Sequence, residues 1–381
     1  MGNNTTSKDK KKTLPFINRE LAWLSFNERV LQENTDLNTQ LIERLKILGI
    51  YSNNRDEFYR VRVASIRRML ALRKQATPFE GIQPEKLLQD ILQSVLNQQK
   101  IFEDIYQKIL LELVKNNIHI INELSLDKDQ QVFVKNYFDE EVSSSLFPIL
   151  IDDRTSFPYL KDNSSYLFAK LISKKNALKI KYALIEIPTK THSRFVILPS
   201  QGKNQFVIML DDAIRFCAND IFTVLGYQVD GSYNIKLTRD AELDIDNDLT
   251  QSLITKIAKS IKKREKGLPV RVMVDGSITK DMLNFLINKI KLGKNDKPIL
   301  GGRYHNFKDF INFPHFGRKD LIYQYPIAFR NPNIIDPHVS ILKTIREKDL
   351  LLFYPYNTYD HIISILREAS VEPNVKSIQI T

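Results

Sequence analysis

Apolar side chains in the first third of the chain recur every three or four positions. Leu41, Ile42, Leu45 and Leu48 set this period, Gly49 interrupts it, and Phe58, Val61, Ile66, Met69 and Leu70 resume it. That is the period of a helix with one buried face. Patterns over about 18–34, 40–50, 55–75 and 84–117 predict a helical amino-terminal domain over 15–117, with Thr77-Pro78 and Gly81 breaking the third helix from the fourth. The stop at Gly49 predicts that Ser52, Asn53 and Asn54 form a helix–helix turn, the asparagines capping a helix whose first turn carries Asp56 and Glu57. From about 118 the pattern shortens. Runs at 166–172, 182–187, 195–198, 206–210 and 270–274 predict strands, and 211–225, 249–263 and 279–292 predict helices, giving a mixed α/β middle domain over 118–327. Residues 339–381 read helix, strand, helix, strand, with strands at 350–354 and 375–381 around a helix carrying Ile362, Ile363, Ile365 and Leu366. That is one βαβ unit of a third domain spanning 328–381. A parallel sheet stopping at its second strand leaves an edge and an apolar face open, so the rest of this domain is expected beyond Thr381.

Composition narrows the class. At 381 residues and 43% hydrophobic content the chain exceeds one ordinary domain. The single Cys217 excludes a disulfide framework and a multi-cysteine zinc site, and fits a reducing cytosol. No apolar run approaches the roughly 18–20 residues of a spanning helix, and the start lacks a signal-peptide core, so a cytoplasmic protein without a transmembrane segment is expected. Residues 1–14 form a lysine-rich tail expected to be disordered. Met1-Gly2-Asn3-Asn4-Thr5-Thr6 fits the loose myristoylation pattern with Lys8, Lys10, Lys11 and Lys12 behind it, which leaves peripheral membrane association open.

Net charge is +11, and residues 255–330 hold 17 Lys or Arg against 6 Asp or Glu. A field this concentrated attracts polyanions, whether polyphosphate, nucleic acid or anionic lipid. On the third helix Arg60, Arg67 and Lys74 recur every seven residues, with Arg62 and Arg73 on adjacent faces. Guanidinium groups bind phosphate oxygens bidentately, so Arg60 and Arg67 are candidate phosphate contacts; the alternative is a solvent-facing surface paired with nearby acids. The segment Gly301-Gly302-Arg303-Tyr304-His305-Asn306-Phe307-Lys308 would let backbone N–H groups approach an anion, with Arg303 and Lys308 supplying charge; the alternative is a structural turn leading into a Phe307/Phe310 core. It lacks the Gly-Lys-Ser/Thr ending of a P-loop. The six histidines, His119, His192, His305, His315, His338 and His361, show no metal spacing and no His-x-Lys pair. Asp152-Asp153, Asp211-Asp212 and the Asp244/Asp246 pair lack partner histidines, so no metal is assigned to any of them.

Longer motifs carry a resemblance. They are Asn18-Arg19-Glu20-Leu21-Ala22-Trp23-Leu24-Ser25-Phe26-Asn27-Glu28-Arg29-Val30-Leu31, the run Leu41 through Arg68, Lys181-Tyr182-Ala183-Leu184-Ile185-Glu186-Ile187-Pro188, Thr238-Arg239-Asp240-Ala241-Glu242, Gly301 through Phe310, and Asp349-Leu350-Leu351-Leu352-Phe353-Tyr354-Pro355-Tyr356. In this order they resemble the long-chain, two-histidine polyphosphate kinases over nearly all of 18–381. The resemblance implies a multidomain α+β protein: a helical amino-terminal domain, a middle head domain and the start of a phospholipase-D-like α/β catalytic domain. It implies reversible transfer of the terminal phosphate of ATP to inorganic polyphosphate through a phosphohistidine, with Mg²⁺ shielding charge. It places the two transferring histidines and the Mg²⁺ ligands beyond Thr381, so no catalytic residue is expected in this chain and the chain alone is expected to be inactive. ATP or ADP and polyphosphate are the implied partners, together with further copies of the same chain in a homo-oligomer; no specific nucleic acid is implied. Asn54 occupies the position of the family's nucleotide-contacting asparagine, and its amide offers both donor and acceptor. Arg55 follows where the family more usually has an apolar residue, and Gln379 stands where it more usually has lysine. The rival from another class is a non-enzymatic polyanion or nucleic-acid-binding protein using the basic 255–330 region.

Overall fold

The computed structural model describes residues 17–73, 83–162, 164–239, 269–290, 298–334 and 339–379, which form two compact units divided at Ile322/Tyr323. The predicted helix at 249–263 and the lysines at 256–266 lie outside the described residues, as do Lys74, His338 and the Asp244/Asp246 pair.

The first unit opens with α1 (Arg19–Gln32), capped by Asn18, whose side chain accepts from the N–H groups of Glu20 and Leu21. Next comes α2 (Leu41–Phe58), which runs through Gly49 without stopping. The expected turn at Ser52, Asn53 and Asn54 does not exist, and neither asparagine is a cap. Gly49 is required for a different reason: a Cβ there would lie 2.8 Å from Ile311 Cγ1 and 3.1 Å from the Phe307 carbonyl oxygen. The glycine lets a short 3₁₀ segment, Phe307–Asn312, pack directly on the α2 backbone. After α2 the chain widens through one π-helical stretch, Tyr59–Val63, before α3 (Ala64–Arg73). The long α4 (Pro84–Lys115) begins with proline at its first position, where the missing N–H costs nothing.

Two sheets follow. In the smaller, β1 (Ile118–Ile121) lies parallel to β6 (Asn204–Met209), which pairs antiparallel with β5 (Phe195–Gln201). The larger has the order β2-β4-β3-β7-β8-β9, built from β2 (Ile149–Ile151), β3 (Ser165–Ser173), β4 (Ile180–Glu186), β7 (Tyr227–Arg239), β8 (Pro269–Asp275) and β9 (Ile299–Gly301). It is antiparallel except for β8 with β9. Helix α5 (Lys128–Tyr137) carries a reciprocal cap between Asp127 and Gln130. The expected helix at 211–225 forms as α6 (Leu210–Phe216) and α7 (Ala218–Thr223), and that at 279–292 as α8 (Lys280–Ile290).

The helices and the smaller sheet share one core. Leu45, Leu48 and Tyr51 of α2 and Phe102, Ile109 and Leu113 of α4 are buried together with Ile118, Phe195, Val207, Phe307 and Phe310. The expected division at 117/118 lies between α4 and β1, both of which contribute to this core.

The second unit contains α9 (Ile341–Glu347) and α10 (Asp360–Val371). Glu368 of α10 accepts from the N–H of Ile341 at 2.9 Å, and the N–H of Asn331 donates to Nε2 of buried His361 at 2.9 Å. The strands expected at 350–354 and 375–381 do not form among the described residues; an isolated bridge joins Phe329 to Asn357 instead. A strand needs a neighbouring strand to exchange backbone hydrogen bonds, and among the described residues these apolar runs have no such neighbour; the Leu351 carbonyl and the Phe353 N–H bond to the side chains of Asn331 and Asn357 instead.

Candidate functional site

In the first unit a cleft of about 470 Å³ opens between α2, α4, β1 and the loop after β9. Phe102, Tyr106, Leu110 and Ile120 give it an apolar wall, and Arg55, Lys236, Arg303 and His305 bring basic groups to it. Each basic group is held differently.

Asp56, buried on α2, receives Lys236 of β7 on one carboxylate oxygen and Arg271 of β8 on the other. Lys236 also donates to Asn306 Oδ1 at 2.6 Å. Burial opposes charge on Asp56, but Lys236 and then Arg271 overcome it and hold the carboxyl well below the usual carboxylate range. Burial lowers Lys236 to about 8, against the opposing pull of Asp56. The cluster ties the helical layer to the larger sheet. Asn306 presents its amide from a left-handed backbone at φ 66°, which asparagine adopts more readily than most residues.

Asp212 on α6 is buried beneath Arg215, Arg303 and the Tyr304 hydroxyl, all of which donate to it. It moves the opposite way, raised to about 6, because burial and then the nearby Glu123 outweigh Arg215 and Arg303. A neighbouring cluster fixes the same loop: Arg194 donates to Asp211 at 2.6 Å, to Asp309 at 2.7 Å and to the His305 carbonyl at 2.9 Å.

His305 is buried with Nε2 3.1 Å from the Asn234 carbonyl oxygen. A carbonyl only accepts, so Nε2 carries the proton, and Nδ1 has no hydrogen-bond partner among the described residues. Burial pushes the ring down to about 4, leaving it neutral at pH 7 with a free Nδ1 lone pair. The other described histidines are engaged: His119 stacks on Phe206 with centroids 4.9 Å apart, His192 lies 2.9 Å from the Ser145 hydroxyl, and His315 accepts from the Gly317 N–H.

The candidates named from the sequence are not gathered in one place. Asn54 turns toward α1, donating from Nδ2 to Oδ1 of buried Asn27 at 3.1 Å, and does not line the cleft. Arg303 does line it, but its charge is met by Glu123 and Asp212. Gly301 serves the sheet edge: its carbonyl accepts from the Gly276 N–H at 2.9 Å, while Gly302 has no neighbour that a Cβ would meet. Phe307 and Phe310 belong to the core. Lys308 has no ion-pair partner among the described residues and lies close enough to Lys236 to lower its pKa. Arg60 pairs with Glu57 at 3.2 Å and lies 3.7 Å from Asp162. Arg67 is half-buried on α3, within electrostatic reach of Tyr59. Among the described residues no group of three or more His, Cys, Asp and Glu side chains could hold a metal ion, so the implied Mg²⁺ has no ligand set here. No helix of the described residues is long and apolar enough to cross a membrane.

Sequence reasoning missed the Asp56 cluster. Its signal was Lys236 inside the otherwise apolar run Ile235-Lys236-Leu237, where a buried lysine demands a carboxylate.

Comparison with known proteins gives three family matches in order along the chain: the polyphosphate kinase amino-terminal domain at 16–121, the middle domain at 129–313 and the carboxy-terminal domain 1 at 340–381. Polyphosphate kinase of Yersinia pestis is 38% identical over 369 residues, covering 96% of this chain and 53% of that protein. The Vibrio cholerae polyphosphate kinase is 40% identical over 370 residues, covering 96% and 52%. The crystal structure of polyphosphate kinase from Porphyromonas gingivalis superposes with a TM-score of 0.74 at 29% identity, covering 95% of this chain and 50% of that one. The chain thus spans about half the length of the relatives it matches. Nothing found supports the alternative of a non-enzymatic polyanion binder.

Proposed function

Because the chain belongs to the polyphosphate kinase family, we propose that it forms the substrate-binding amino-terminal half of an enzyme that moves the terminal phosphate of ATP reversibly onto polyphosphate. The observation that carries this is the ordered succession of three polyphosphate kinase domain matches along one chain. In this proposal a neutral imidazole nitrogen from the later part of the family's length attacks the γ-phosphorus of ATP. ADP leaves, and the phosphoramidate passes its phosphoryl group to a terminal polyphosphate oxygen. This half binds and orients. Asn54 is the nucleotide contact: Asn27 holds one of its amide hydrogens, so the carbonyl oxygen stays directed to accept from a base or ribose donor. Lys308, Arg60 and Arg67 guide the polyanion, and Arg303 contributes chiefly to the loop that presents Lys308. Mg²⁺ shields phosphate charge in the family proposal, but no step is assigned to it because no described residue set fits it. The protein is cytoplasmic and acts as a homo-oligomer in this proposal.

The test is phosphoryl labelling. With γ-labelled ATP the 381-residue chain alone should acquire no acid-labile label, while the chain extended to the family's full length should be labelled and make polyphosphate. Labelling of the short chain, or no polyphosphate from the extended one, would overturn the proposal.

A further inference from the structure

Arg55 on α2 is only 4% exposed, yet it makes no salt bridge among the described residues and shares the field of the single Asp56 carboxylate with Lys236 and Arg271. Both oxygens of the adjacent Asp56 are taken by Lys236 and Arg271. One terminal nitrogen of Arg55 donates to the neutral Gln99 Oε1 at 2.5 Å, and its Nε has no partner. The guanidinium lies 5.3 Å from the Tyr51 ring centroid and 5.8 Å from that of Phe102, a cation–π arrangement that replaces only part of its lost hydration. Gln99 donates in turn to Glu103 Oε1 at 2.8 Å, so the acid on this chain of bonds is held one side chain away. Buried cations are ordinarily paired, because removing one from water without a counter-ion costs several kcal/mol. Here Arg55, Gln99, Phe102, Tyr106 and Leu110 line one cleft with His305, and the two carboxylates that also line it, Asp56 and Glu103, are held by Lys236 with Arg271 and by Gln99.

The geometry points to a binding site for a small aromatic phosphate monoester, its anionic oxygens on Arg55 and its ring on the Phe102/Tyr106 wall. A volume of about 470 Å³ suits an organic molecule of that size, and the apolar wall disfavours a bare inorganic ion. Phosphate is favoured over a neutral polar group because it supplies the charge that Arg55 lacks, in bidentate geometry. The site is separate from Asn54, whose side chain faces α1, so it stands or falls independently of the proposed kinase role.

Calorimetric titration of the 381-residue chain with 1-naphthyl phosphate, 1-naphthol and inorganic phosphate tests this. Naphthyl phosphate should bind at least about tenfold more tightly than either of the others, with one bidentate charge-assisted contact accounting for the difference. Arg55→Leu should abolish the advantage over naphthol. Gln99→Glu, which places a carboxylate beside Arg55 without removing it, should weaken naphthyl phosphate by a similar factor, and it decides the matter should Arg55→Leu fail to fold. Equal affinity for naphthol and naphthyl phosphate, or unchanged affinity in the folded variants, would overturn the site.

Discussion

The two compact units draw on the same apolar side chains and reach different ends. In the first, Leu45, Leu48, Phe102, Phe168 and Val207 are each 0–2% exposed, because helices and sheets close over them from both sides. In the second, Leu351, Phe353 and Ile378 are 85%, 66% and 50% exposed, although their sequence pattern is as strand-like as that of β8. The difference shows that periodicity records which face a segment can bury, whereas a partner decides whether it becomes a strand. The polar interior differs too. The first unit ties its layers together with Asp56, Lys236 and Arg271, while the second uses the His361 ring with the Asn331 N–H and the Glu368 carboxylate on helix N–H groups.

The largest expected effect follows from that ionic cluster. Asp56→Asn would leave Lys236 and Arg271 buried without a counter-ion, and breaking a buried pair from one side costs about 3–5 kcal/mol. Urea unfolding followed by tyrosine and tryptophan fluorescence measures it. A loss below about 1 kcal/mol would show that the cluster does not hold the layers together.

His305 supplies the next effect. Its folded-state pKa is depressed to about 4 from the ordinary 6.5, so the unfolded chain binds more protons between those values. The stability it contributes is fully present above pH 6.5 and is lost as pH falls toward 4. Asp212, raised to about 6, acts with the opposite sign: its contribution is present at low pH and fades as pH rises through 6. Comparison with His305→Gln isolates the histidine. The wild type should lose about 2–3 kcal/mol more than the variant between pH 6.5 and 4. Parallel pH profiles would place the ring in a more hydrated setting than its burial indicates.

The smallest effect belongs to the second unit. Leu351→Gln and Phe353→Gln change side chains already facing solvent, so each should shift the stability of the 381-residue chain by less than about 0.5 kcal/mol. Costs comparable to those of first-unit core variants would mean that these runs are covered after all.

Much of this contrast was legible in sequence, and the failures are physical. Helices α1 and α4 and strands β3, β4 and β8 followed from period and punctuation, since each has one clear apolar face or a short apolar run. Strand β7 was hidden by Val229-Asp230-Gly231-Ser232, which reads as a turn; in the structure the register shifts there, with Asp230 left over between Val229 and Gly231 and paired to Lys170 at 3.2 Å. Gly49 was taken as a terminator because a glycine that makes room for another backbone looks the same in one dimension. Asn54 was singled out by family motif alone, and it lies outside the cleft. Asp56, Lys236 and Arg271 are 180 and 215 positions apart, beyond any local pattern.

The most direct measurement of the Asn54 assignment is nucleotide affinity in the family-length protein with Asn54→Ala and Asn54→Asp. Since Asn54 lies within α2 and its side chain bonds, among the described residues, to the neighbouring Asn27 amide, Asn54→Ala should keep the melting temperature while weakening ATP by a contact of about 0.5–1.5 kcal/mol, roughly twofold to twelvefold in Kd. Asn54→Asp should weaken it further by placing negative charge near the phosphates. Unchanged ATP affinity in both folded variants would contradict the nucleotide role of the α1–α2 face.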